Sequence, residues 1–204
     1  MNYLAHLLLA DDTPPSLVGN LIADFIKGPQ FQTLSAEVQQ GIRLHRQVDG
    51  FTDRHPVVQR SIQRVSARWG WFSGILIDMW YDHLLSQEWE RFSPVPLRAF
   101  VDRVHIVLRD QMVGLPEEVC YGLTRLIEVD RLANYGHIAG ITDSLVHLSK
   151  RIMQRMPERA VQLQDAVPDL GANQTELLSD FLEFFPQLIA FTMEWKRSQA
   201  HSPQ

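Results

Sequence analysis

Four residues able to bind ions or move protons fall within eleven positions of one stretch. They are His45, Asp49, Asp53 and His55 in GIRLHRQVDGFTDRHP, Gly41 to Pro56, with Arg43, Arg46 and Arg54 between them. His45 and Asp49 are four apart, which on a helix puts both on one face, close enough to grip one ion. Imidazole with carboxylate suits a borderline-to-hard divalent ion such as Mn, Fe or Zn. More such groups stand in apolar, helix-period surroundings. These are His6 in LAHLLL, Asp24 in GNLIADFIKG with Asn20 one turn before it, and Asp78, Asp82 and His83 in ILIDMWYDHLL. A carboxylate among Ile, Leu, Met and Trp is costly to bury unless paired or metal-bound. Asp78 and Asp82 on one face would repel each other, and a divalent cation removes that repulsion.

Each of these residues also has a purely structural use. His6 suits a hydrogen-bonded core histidine, and Asp24 can pair with Lys27 across one turn. Asp78 and Asp82 can bridge to arginines such as Arg46, and Asp53 suits the turn or N-cap before Pro56. The recurrence of acids and histidines on faces that should be buried, all in the N-terminal half, favours a shared site. A weaker second candidate, NYGHIAGITDSLVH, adds His137, Asp143 and His147.

The net charge of −5 argues against general nucleic-acid binding. From Gly41 to Gly70, however, six arginines face two aspartates, a local +4 that leaves −9 for the remainder. This positive island predicts an anionic substrate or an acidic partner. Arg60, Arg64 and Arg68 step along one helix face as a docking strip for an acidic helix, although a solvated charged face would look the same.

A hydrophobic content of 45% and a charged content of 21% are globular values. The longest apolar runs are too short to span a bilayer. MNYLAHLLLA reads as a first helix, not a signal peptide. The single cysteine, Cys120, excludes an internal disulfide and fits a reducing compartment.

Apolar residues recur at three and four rather than alternating, so the expectation is all helix. The predicted helices run over 2–10, 14–27, 35–49, 56–69, 72–91, 97–112, 116–135, 138–156, 157–166 and from about 173 to 197. A turn is expected around Thr52 to Pro56 and a kink at Pro186. The expected organisation is a single helical domain over 1–197 with a frayed tail at 198–204.

The stretches MNYLAHLLLA, GNLIADFIKG, GIRLHRQVDGFTDRHP, LIDMWYDHLLSQEW, LANYGHIAGI and FLEFFP together resemble the acyl carrier protein phosphodiesterases over nearly the whole chain. That family is bacterial and cytoplasmic and looks like a divergent relative of the all-helical HD-domain metal phosphohydrolases. The resemblance implies removal of 4′-phosphopantetheine from the serine of holo-acyl carrier protein, with manganese preferred and magnesium, iron or cobalt as alternatives. The usual His-Asp dipeptide of HD proteins is reversed here, as Asp82-His83. Carried over by motif position, Asp24, His45, Asp49, Asp78 and Asp82 are the metal candidates. His6, Asp53 and His83 follow as acid–base groups, and Arg46 as a phosphate partner. The implied substrate is an acidic carrier protein, steered in by Arg60, Arg64 and Arg68; no nucleic acid and no membrane is expected, and oligomeric state is left open. The rival readings are a phosphohydrolase of small esters and a non-enzymatic helical module.

Overall fold

The helical spacing of apolar residues becomes helix along the chain. A computed structural model describes residues 1–200, and among them there is no strand. The helices are α1 (Tyr3–Leu9), α2 (Pro14–Ile22), α3 (Pro29–Gln32), α4 (Ala36–Arg54), α5 (Pro56–Trp69), α6 (Ser73–Gln87), α7 (Leu97–Gln111), α8 (Glu117–Glu128), α9 (Arg131–Asn134), α10 (Ile138–Arg155), α11 (Val167–Ala172) and α12 (Gln174–Ala200). None is long and apolar enough to cross a membrane. One continuous hydrophobic core joins them, so the all-α expectation holds.

The centre of the bundle is α6. It buries residues on nearly every face, including Leu76, Ile77, Trp80, Tyr81, Leu84 and Leu85, and α1, α5, α10 and α12 pack around it. Helix α1 is short and almost wholly buried, and a helix of this length is not stable alone. Its N-terminal donors, which lack partners within the helix, are met from outside. The Asn2 side chain accepts from the Tyr3 N–H, and Asp82 of α6 accepts from the Leu4 and Ala5 N–H groups at 2.7 and 3.1 Å. On the other side of α6, Asp180 of α12 takes hydrogen bonds from Ser61, Arg60 and Arg64 of α5, and Ser61 bonds the Tyr81 hydroxyl.

Helices α2 and α4 touch backbone to backbone. A Cβ on Gly41 would lie 2.7 Å from the Ser16 carbonyl oxygen and 3.0 Å from the Gly19 Cα. Any side chain there forces the pair apart. The close approach places the carbonyl of Asn20, next to Gly19, against His45, one turn beyond Gly41, at 2.8 Å.

Several boundaries differ from the sequence expectation. Helix α4 does not stop near Asp49 but continues to Arg54. His55 alone makes the corner, ending α4 and capping α5 by accepting the Val57 N–H, with Pro56 as the first residue of α5. Helix α2 ends at Ile22 rather than Lys27, so Asp24 falls in the turn that follows and not on the Asn20 face. The helix expected over 116–135 breaks at Asp130, whose φ of 46° is left-handed. Residues 157–166 form only short 3₁₀ turns. Helix α12 contains Pro186 and runs on to Ala200; the rest of the expected tail, 201–204, lies outside the described residues.

Because the α2–α4 contact sets the position of His45, Gly41→Ala is expected to lower stability by about 1–3 kcal/mol, the usual range for overpacking. Chemical denaturation measures this, and an unchanged midpoint would show that the two backbones have room to spare.

Candidate metal centre

Four side chains from three elements converge where His6 of α1 meets His45 and Asp49 of α4. His6 of α1 and His45 of α4 stack ring on ring, with centroids 3.8 Å apart and planes 16° from parallel. Asp49, one turn beyond His45, serves both: its Oδ1 is 3.1 Å from His6 Nε2 and its Oδ2 is 3.0 Å from His45 Nε2. Asp24 closes from the turn after α2, its Oδ1 3.3 Å from the same His45 nitrogen. One ligand atom from each of His6, His45 and Asp49 lies within 4.8 Å of the other two.

Hydrogen bonds satisfy only part of this cluster: His6 Nε2 donates to Asp49 Oδ1, while His45 Nε2 has no hydrogen-bond partner. His45 donates its Nδ1–H to the Asn20 carbonyl, which leaves Nε2 as the lone-pair nitrogen in the neutral ring. Metal-binding histidines are commonly held this way, through the nitrogen that does not bind the ion. Although two carboxylates lie within 3.3 Å of that Nε2, neither contact has hydrogen-bond geometry. His6 Nδ1 is likewise buried without a partner.

Electrostatics tell the same story. Burial alone would lower the His45 pKa, but Asp24 and Asp49 outweigh it and raise it to about 9. Without another cation, the protein recruits a proton to hold the two carboxylates together. Burial lowers His6 to about 4, only partly offset by Asp49, so its ring stays neutral and available as a ligand. Burial opposes ionisation of Asp49 as well, yet His45 and His6 hold its carboxyl well below the usual carboxylate range. Asp24 is lowered chiefly by its contact with His45.

The remaining sequence candidates go elsewhere. Asp82 is fully buried, and both its oxygens are committed to the start of α1. Burial raises its pKa to about 7 against the pull of those two N–H groups. Asp78 pairs with the Met1 ammonium at 3.1 Å, and that ammonium also reaches Asp49 Oδ1 at 3.4 Å. Asp78 therefore borders the centre through a cation the chain itself supplies. His83 gives its Nδ1–H to the Tyr135 carbonyl at 2.6 Å and packs on Trp80, with burial lowering its pKa. Asp53 is exposed on the outer part of α4. Arg46 stacks on Phe31 and donates to the Ile26 carbonyl, taking no part in the cluster's hydrogen bonds. Arg60, Arg64 and Arg68 are paired with Asp180, Glu183 and Asp169 of the C-terminal helices. In the weaker second candidate, His147 turns its Nδ1 back onto the Asp143 carbonyl of its own helix.

Tyr3, Arg131 and Arg151 carried no sequence signal. Tyr3 lies one turn before His6 on α1, and burial, with the charge of Asp24, raises its pKa against the opposing charges of Arg151 of α10 and Arg131 of α9. The only available hint was the three-residue spacing of Tyr3 and His6. Nothing local links either to arginines more than a hundred residues away.

The capping role of Asp82 separates it from the His6, His45, Asp49 and Asp24 cluster. Asp82→Ala leaves two buried N–H groups without an acceptor and should cost about 3 kcal/mol, while Asp82→Asn, which keeps one acceptor oxygen, should cost clearly less. Urea titration of both variants measures the difference. Equal and small losses would mean that α1 does not depend on this cap.

Residues 1–188 match the family model described as acyl carrier protein phosphodiesterase. Among similar proteins is the acyl carrier protein phosphodiesterase of Photorhabdus laumondii, 33% identical over 190 residues that cover 93% of each chain. That of Pectobacterium atrosepticum is 32% identical over 191 residues, 93% of this chain and 96% of its own. The Salmonella agona protein of the same name is 31% identical over the same shares. No solved structure matches. With its motifs spread along a match of this extent, the chain belongs to the acyl carrier protein phosphodiesterase family.

Proposed function

We propose that this protein hydrolyses the phosphodiester joining 4′-phosphopantetheine to the serine of holo-acyl carrier protein, releasing the apo protein, and that it does so at the centre of His6, His45, Asp49 and Asp24. The convergence of two buried imidazoles and two carboxylates on one point carries the reading of the site. Family membership supports the reaction.

The donor set suits a borderline divalent ion, with manganese the preferred choice. Such an ion would polarise a phosphoryl oxygen, acidify a water and orient the substrate. The chain's own residues do the rest. Asn20 holds the His45 ring so that Nε2 faces the centre, and the two stacked imidazoles brace each other. Asp49 fixes both rings through its two oxygens. Asp24, whose side chain is 67% exposed, forms the open lip through which substrate arrives. Arg151 and Arg131, whose charges act on the Tyr3 hydroxyl, are the guanidiniums that would neutralise phosphate oxygens. Residues 1–197 act as one catalytic domain, and the lone free cysteine suits a cytoplasmic setting.

Intact-mass spectrometry of holo-carrier protein incubated with the enzyme and Mn2+ tests this. The expected result is loss of the 4′-phosphopantetheine mass, abolished by chelation and restored by Mn2+. His45→Ala and Asp49→Asn should each abolish it while circular dichroism stays helical. Turnover that persists in chelator and in both variants would refute the assignment.

A further inference from the structure

The fold neutralises most of the positive stripe beside the motif. Arg60 Nη2 lies 2.7 Å from Asp180 Oδ1 and 2.5 Å from Glu183 Oε2, Arg64 Nε is 2.9 Å from Asp180 Oδ2, and Arg68 Nη1 is 3.0 Å from Asp169 Oδ2. These cations tie α5 to the C-terminal helices and offer little charge to a partner.

Arg43 and Arg46 are different. Both guanidiniums lie over one ring, Phe31 of α3, at 5.4 and 5.3 Å from its centroid. Arg43 bonds the side-chain oxygens of Gln39 and Gln40, and Arg46 bonds the Ile26 carbonyl. Both arginines are exposed, and among the described residues neither meets a carboxylate. Lys27, also exposed, follows Ile26 directly. Of the acids on this segment, Asp24 is turned to His45, and Glu37 makes no ion pair with either guanidinium. Stacking on Phe31 orders two long side chains without consuming their charge, so less entropy is lost when they meet an anionic surface.

Position adds a second argument, which rests on the proposed reaction. The bond to be cut is the one at the carrier protein's own serine, so the body of that protein must come against the rim of the metal centre, with only the arm free to extend further. The Lys27–Phe31–Arg43–Arg46 face meets this requirement. Arg46 follows His45 in the chain, and the carbonyl it holds belongs to Ile26, two residues beyond the exposed lip at Asp24. We propose that this face, and not the Arg60–Arg64–Arg68 stripe, is where the acidic carrier protein docks.

The test uses Lys27→Glu/Arg43→Glu and, for binding alone, Arg46→Glu. For holo-carrier protein at low salt the double variant should raise KM about tenfold with little change in kcat, and it should flatten the fall of kcat/KM with ionic strength. Hydrolysis of bis(p-nitrophenyl) phosphate by the same double variant should be unchanged. An unaltered KM and salt slope for the carrier protein would overturn the proposal. So would equal losses on both substrates, since the residues would then act at the centre. Titration with apo-carrier protein needs no turnover and separates this proposal from the proposed reaction. Weaker binding by the double variant and by Arg46→Glu supports the docking face whatever the turnover, and binding equal to the parent protein refutes it.

Discussion

Two carboxylates closing on one imidazole nitrogen form the constraint around which this protein is arranged. Asp24 and Asp49 approach His45 Nε2 within 3.3 Å, beside a second imidazole that burial keeps neutral. Such a cluster is short of positive charge. In the protein alone, His45 compensates by holding a proton up to about pH 9, and the Met1 ammonium reaches the Asp49 oxygen that also meets His6. A divalent cation would meet the same need with more charge and with ligand geometry, displacing the proton from His45. The raised pKa of His45 and the proposed affinity for a metal thus have one electrostatic cause.

The surrounding helices keep that crowding from relaxing. Glycines on α2 and α4 let the backbones meet, which brings the Asn20 carbonyl to His45 Nδ1 and fixes the ring. Helix α1 carries His6 into the centre, yet it is too short to persist unaided. Asp82, at the heart of α6, holds its first turn from below. A buried acid that first suggests a ligand is in this way a device for placing His6 in the cluster. The Asp180 network does a comparable task on the opposite side of α6, joining α5 and α12 through two arginines and a serine.

The sequence disclosed the fold class and three of the four cluster members other than by accident. His45 and Asp49 follow from four-residue spacing, and His6 from a lone imidazole in an apolar run. Asp24 was identified although its helix ends before it, and that early end is what frees its side chain to turn toward His45. Asp82 and Asp78 read as metal candidates beside Asp24, His45 and Asp49, and His6 as an acid–base group, because an acid on an apolar face has the same local signature whether it binds a metal, caps a helix or meets an ammonium. Only the third dimension separates those uses. The arginine stripe of α5 shows the same limit, since its acidic partners lie about a hundred residues away in sequence. The shared Phe31 of α3 under Arg43 and Arg46 of α4 is likewise a pairing between elements that periodicity does not record.

The most direct test of the central claim is pulsed electron paramagnetic resonance of Mn2+ bound to the protein. The account predicts couplings from two directly bound imidazole nitrogens, one of which disappears in His6→Gln while the other is lost in His45→Gln. A bound Mn2+ with no imidazole coupling, or couplings unchanged in both variants, would contradict it.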